Sequence, residues 1–262
     1  GWTNYKSAEE APETIAEILQ NMVKEKWALT CATWAEVVNI VGSDQITLSK
    51  LALISKQKDK GTWKHRIIWD LLRSGVNSRV HQGERIILPR VLDVAQDVLD
   101  LIKAIHPGEE IWFFGTDVSD AFHQIPLRHD EWRFTVAEFA GKYYVFTVLV
   151  FGSASAPTVW GRYAAWLGRS TAAIVNPDRL RIQIYVDDPI FTIRGTLHDA
   201  AVEVAIALAW IMCSGYPLAW PKSEGGKKIS WIGVRYSAQL APTPSVTISI
   251  PEDKIKEALK FC

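Results

Sequence analysis

The chain holds 262 residues, 48% of them hydrophobic, with 29 basic and 29 acidic side chains in balance. That length can bury a substantial core, in one large domain or in two or three subdomains. Scattered cysteines (Cys31, Cys213, Cys262) and six dispersed histidines provide neither a disulfide framework nor a zinc site. The polar N-terminus is no secretory signal, and the run from Ala200 to Met212, broken by Glu203, is too short to span a membrane.

These features predict an intracellular protein, in cytoplasm or nucleus, with no membrane contact. The charge is unevenly spread. Between Lys50 and Arg90 stand ten Lys or Arg against three Asp or Glu, leaving nineteen against twenty-six elsewhere. A basic block inside an acidic chain points to phosphate contact. The plainer alternative is a solvated hairpin whose lysines guard an edge strand.

In chain order, apolar residues at helical spacing (Ile15, Ile18, Leu19, Met22, Val23) predict a helix from Ala8 to Lys26, with acids early and lysines late. A second helix is expected over Thr33 to Val41. Leu51 to Ser55, the turn Lys58-Asp59-Lys60-Gly61, and Trp63 to Leu71 form a basic hairpin carrying Lys64 and Arg66. Such a hairpin can neutralise a triphosphate. Gly75-Val76-Asn77 marks a loop, and Pro89 to Ile105 a helix with Pro in its first turn. An apolar strand from Ile111 ends at Asp117, and a turn through Val118-Ser119-Asp120-Ala121 leads to Phe122. A carboxylate at the end of a buried strand needs a partner or a metal, unless it caps the next turn.

Glu131 to Val150 predicts two strands around Ala140-Gly141-Lys142. The small-residue loop Phe151 to Pro157 precedes a helix from Thr158 to about Thr171. In Gln183-Ile184-Tyr185-Val186-Asp187-Asp188-Pro189-Ile190-Phe191, two strand-forming runs flank adjacent carboxylates. Asp is common in turns, but paired acids also suit a hard divalent cation. If the strand ending at Asp117 lies beside this hairpin, three carboxylates converge and can bind two Mg²⁺ ions. Pro189 is unusual there, since it donates no ladder hydrogen bond. Further on come an Ala-rich helix from His198 to Cys213 ended by Gly215, strands over Ile229–Val234 and Val246–Ile250, and a final helix from Pro251. Starting at Gly1 and stopping at Cys262, the chain reads as a fragment of something longer.

The order of these motifs resembles the catalytic core of retroelement and retroviral reverse transcriptases. Asp117 to Phe122 looks like the first palm motif, and Phe151 to Pro157 the second. Tyr185-Val186-Asp187-Asp188 is similar to the family's signature tetrapeptide. Gly215 with Lys222 resembles the next motif, and Trp231-Ile232-Gly233 the primer grip. Upstream, Lys64, Arg66, Asp70 and Arg73 resemble the fingers hairpin, and Leu88-Pro89 the entry to the palm. The likeness runs from about Leu51 to Val234.

The resemblance implies an α+β right-hand polymerase palm, an antiparallel sheet backed by helices, with a fingers subdomain and a thumb only begun. It implies fingers over 43–92 and 125–150, palm over 93–124 and 151–237, and a thumb or connector from 238; residues 1–42, read as helical from their apolar spacing, form an N-terminal extension ahead of the likeness. Asp117, Asp187 and Asp188, with the Val118 carbonyl, would hold two Mg²⁺ ions (Mn²⁺ in their place). Lys222 would protonate pyrophosphate. Lys64 and Arg66, the Asp120 and Ala121 amides, Phe122 and Phe151 would bind the deoxynucleoside triphosphate, Phe122 as the steric gate against a 2′-hydroxyl. Trp231, Ile232 and Gly233 would hold the primer. Implied partners are an RNA or DNA template, a primer and deoxynucleoside triphosphates, with RNase H and integrase domains outside this stretch. The competing readings are an RNA-dependent RNA polymerase, which Phe122 disfavours, and a non-catalytic descendant that binds nucleic acid or protein.

Overall fold

The computed structural model of the chain describes residues 2–57 and 61–259. The expected Lys58–Lys60 turn and Cys262 lie outside the described residues. The chain divides at Arg85/Ile86, Ser119/Asp120 and Trp160/Gly161 into two compact units, each made of two separate stretches.

The first unit opens with α1 (Lys6–Glu9) and α2 (Pro12–Lys24) where one helix was expected. Pro12 is the cause: it has no N–H for the preceding turn, so the helix stops and restarts with Pro at an allowed first position. Ile15, Leu19 and Met22 form the buried face of α2. Next come β1 (Ala28–Cys31) and α3 (Trp34–Val41), which is capped by Thr33 accepting the Glu36 N–H at 3.2 Å. β2 (Leu48–Ser49), β3 (Leu51–Gln57) and β4 (Trp63–Trp69) follow. β3 and β4 form the basic hairpin, in register from Leu51–Trp69 to Gln57–Trp63.

In the second unit, α4 (Val91–Lys103) begins after Arg90, whose N–H donates to Asp93 at 2.6 Å. Pro89 therefore stands outside the helix, not in its first turn. β5 (Glu110–Gly115) comes next. The chain then returns to the first unit for β6 (Val136–Phe139) and β7 (Lys142–Phe146). The expected strand from Glu131 starts later, because His129–Phe134 is a 3-10 helix. β1, β7 and β6 pair antiparallel, and β2 joins β6 in parallel, in the order β1-β7-β6-β2. The N-terminal helices are integral to this unit: Ile15, Leu19 and Met22 share one core with Leu51, Ile67, Trp69 and Phe146.

α5 (Ala156–Ile174) is longer than expected at both ends. β8 (Leu180–Tyr185), β9 (Asp188–Gly195), α6 (Leu197–Cys213), β10 (Glu224–Gly226), β11 (Lys228–Trp231), β12 (Val234–Gln239), β13 (Ser245–Ser249) and α7 (Glu252–Ala258) complete the second unit. A capping box of Thr196 and Asp199 starts α6, and Gly215 at φ +84° follows its end, as expected. One antiparallel sheet has the order β10-β5-β9-β8, and a second has β11-β12-β13. The single strand expected over Ile229–Val234 is two, since Ile232 and Gly233 turn the chain at φ +40° and +91°. Val94, Val98 and Leu101 of α4 back the first sheet through Ile111, Phe113 and Ile190. Among the described residues, no helix is long and apolar enough to cross a membrane.

Candidate active site

The expected site residues fall into two sets, one in each unit. In the second unit, β5 and β9 are antiparallel neighbours, with Gly115 opposite Ile190. This register carries the chain after β5 alongside the β8–β9 turn. The Thr116 N–H donates to the Pro189 carbonyl at 3.2 Å, and the Val118 N–H to the Asp187 carbonyl at 2.8 Å. On its other edge the same segment is pinned by residues 217–219. Ser119 donates to the Pro217 carbonyl and Ala219 to that of Asp117, both at 2.8 Å. In extended chain a residue's N–H and C=O share one edge. The Val118 carbonyl therefore lies on the edge that faces the acidic turn. Asp117, Asp187 and Asp188 are thus brought together from distant parts of the sequence.

The acidic turn is strained. Val186 takes φ +57°, in a region that β-branched residues avoid. The strained residue and Asp187 form a two-residue turn closed by the Tyr185–Asp188 pair, so Asp187 stands at the tip and Asp188 at the first position of β9. Pro189 fits because its nitrogen points toward β5 one position past the last β5 register pair. Its carbonyl still accepts the Thr116 N–H, so the missing donor costs only the return bond at the very end of that ladder. The indole N–H of Trp231 donates to the Asp188 carbonyl at 3.1 Å, and the Tyr185 ring stands edge-on to the Trp231 ring, 6.2 Å away. Trp231 thereby ties the Trp231-Ile232-Gly233 turn to the acidic hairpin.

Electrostatics mark Asp188. Burial, then the charges of Asp187 and Asp117, push its carboxyl up to about 6, with Lys222 pulling the other way. The Lys222 ammonium donates to the Asp117 carboxylate. Half-buried carboxylates repelling one another fit a hard divalent cation, which prefers oxygen ligands. Among the described residues, no three His, Cys, Asp or Glu side chains are grouped closely enough to hold a metal ion as they stand; the Lys222 ammonium supplies the positive charge beside Asp117.

The second set lies in the first unit. On β4, Lys64 and Arg66 are exposed and share one face of the hairpin. The Arg66 guanidinium sits 5.0 Å over the Phe151 ring, and Phe151 lies 5.3 Å from Phe122. Asp120, at φ +49°, precedes the short 3-10 helix Ala121–Gln124, in which Ala121 is buried and Phe122 half-buried. The Phe151 carbonyl accepts the Trp69 N–H at 2.9 Å. Gly152 is obligatory: at φ +111° its absent Cβ would lie 2.0 Å from the Trp69 carbonyl oxygen. Asp70 and Arg73 serve the scaffold: Asp70 accepts the Tyr5 hydroxyl and, at 2.9 Å, the Arg73 N–H, which hold its carboxyl below the usual range.

Sequence reasoning missed Asn77, which it read only as part of a loop. Its amide donates to the Gly152 carbonyl at 2.8 Å and accepts the Ala154 N–H at 2.9 Å, clamping the small-residue loop. It also missed Gln183, which donates to Asp97 of α4 at 2.7 Å. Neither carries a sequence signal, because each bond joins residues more than seventy positions apart.

No curated protein matches the sequence significantly. Solved structures do match in fold. A foamy viral protease-reverse transcriptase in complex with double-stranded DNA aligns with a TM-score of 0.67 at 16% identity, covering 97% of this chain and 38% of that one. A CSH mutant of prototype foamy virus protease-reverse transcriptase aligns at 0.64 and 15%, covering 93% and 28%. This chain thus spans less than two fifths of either viral protein. Their likeness shows the fold, an α+β right-hand polymerase architecture. A family model described as reverse transcriptase (RNA-dependent DNA polymerase) matches residues 56–236, and the chain belongs to that family.

Proposed function

We propose that this chain is the RNA-directed DNA polymerase domain of a retroelement, a nucleotidyltransferase that adds deoxynucleotides to a primer 3′-hydroxyl inside the cell. The observation that carries the reading is the convergence of Asp117 with Asp187 and Asp188, set by the β5–β9 register. These carboxylates, with the Val118 carbonyl, would hold two Mg²⁺ (or Mn²⁺) ions. When bound, the ions supply Lewis-acid activation of the attacking hydroxyl and neutralise charge on the leaving group.

The remaining roles belong to the chain's own side chains. Lys222 would deliver a proton to departing pyrophosphate. Lys64 and Arg66, with the Asp120 and Ala121 amides, would take the triphosphate, and Phe151 would pack on the nucleotide. Phe122 would exclude a ribose 2′-hydroxyl, and the Trp231-Ile232-Gly233 turn would steady the primer end. Template and primer would be met through backbone phosphates and shape. We read the first unit as fingers and most of the second as palm, with the thumb beginning near 238.

The test is primer extension on poly(rA)–oligo(dT) with Mg²⁺, using the full-length protein. Wild type is expected to extend with deoxynucleotides, and Asp187→Asn to lose at least about a hundredfold in rate. Preferred ribonucleotide incorporation would replace this reading with an RNA polymerase. Unchanged behaviour of Asp187→Asn would leave only a binding role.

A further inference from the structure

A continuous stack of rings runs through the first unit. Arg66 covers Phe151; Phe151 touches Phe122 and meets His123 edge-on at 5.4 Å; His123 lies 4.7 Å from Trp27. His123 is 5% exposed, and neither ring nitrogen has a hydrogen-bond partner among the described residues. A buried imidazole left unsatisfied weakens the core. Burial holds it neutral, pushed down to about 4, with Asp120 opposing and Arg66 adding to the shift. The ring therefore contributes shape and no charge. It also directly follows Phe122 in one short 3-10 helix, so fixing His123 fixes the turn that presents Phe122.

Trp27 gives the stack its footing. Its N–H donates to the Met22 carbonyl and its carbonyl accepts the Thr147 N–H, both at 2.9 Å. Its side chain packs against the core that α2 helps to build. Trp27 also lies ahead of residues 56–236, the part matched by the family.

We infer that Trp27 and His123 are positioning residues for sugar selection, holding Phe151 and Phe122 where the incoming nucleotide would meet them. The inference rests on the polymerase reading above. A deoxyribose and a ribose differ by one hydroxyl, so discrimination depends on where the gate ring stands. Removing either support lets both rings shift and admits the extra oxygen.

The experiment measures kcat/KM for a deoxynucleotide and its ribonucleotide on the same preparation of full-length protein. Their ratio cancels any loss of folded fraction, so a merely structural role would not move it. Trp27→Ala and His123→Ala are expected to lower the ratio roughly three- to tenfold, the scale of one lost aromatic contact. Trp27→Phe and His123→Phe should restore it. Phe122→Val serves as the direct test of the gate. If Phe122→Val relaxes selection while Trp27→Ala and His123→Ala do not, the inference is wrong and the polymerase reading stands. If Phe122→Val changes nothing, the gate assignment fails and the inference with it. If the wild-type protein extends no primer, the polymerase reading falls and takes the inference along.

Discussion

Asp188 illustrates what a single side chain loses and gains at such a site. Its carboxyl is raised from 3.8 to about 6 in the folded chain. Between those values the native state binds the extra proton, so metal-free stability falls as pH rises through this window and the cost is complete above about 6. Asp188→Asn should therefore raise Tm at pH 7.5 by roughly 2–4 °C, corresponding to about 1 kcal/mol after solvent screening, with no gain at pH 4. Mg²⁺ should raise the wild-type Tm at pH 7.5 more than that of the variant; differential scanning fluorimetry reads both. Val186→Gly should likewise stabilise, by about 1–2 kcal/mol through relief of its positive φ, yet slow primer extension because the tip loosens. The place of the Asp-Asp pair at a hairpin turn was legible in sequence, since two strand-forming runs flank it. The engagement of Asp117 by Lys222 was not, because 105 positions separate them. His123 gave no signal at all: in sequence it is one polar residue after an aromatic.

At the scale of elements, the pattern found the long helices and three hairpins, β3–β4, β6–β7 and β8–β9, and it failed where geometry was short or local. β1 has four residues and β2 two, too few for an alternation to register. Trp132 and Phe134 mimic strand spacing but sit in a 3-10 helix. The split of α1 from α2 was readable from Pro12 and overlooked because the apolar stripe begins only at Ile15. The loop after β7 makes the sharpest demand of any element. Gly152→Ala would drive a methyl into the Trp69 carbonyl and detach the loop from β4. A loss of about 3 kcal/mol or more is expected, measurable by urea denaturation. Asn77→Ala removes two bonds to the same loop and should cost about 1–3 kcal/mol.

For the molecule as a whole, the N-terminal helices are part of the first unit's core. Leu19→Ala, at a fully buried position shared with Leu51 and Trp69, should cost about 2–5 kcal/mol in chemical denaturation. A freely appended extension would lose nothing measurable. The chain's path between units has a consequence for its synthesis. The first unit is closed by β1 pairing with β7, residues 28 to 146, and its last stretch ends at Trp160. Synthesis must therefore pass Trp160, and so complete all of β5 from the other unit, before this half can shut. Until then the apolar face of α2 and the basic hairpin wait without their covering strands, a long exposure during which nascent chains would lean on chaperones.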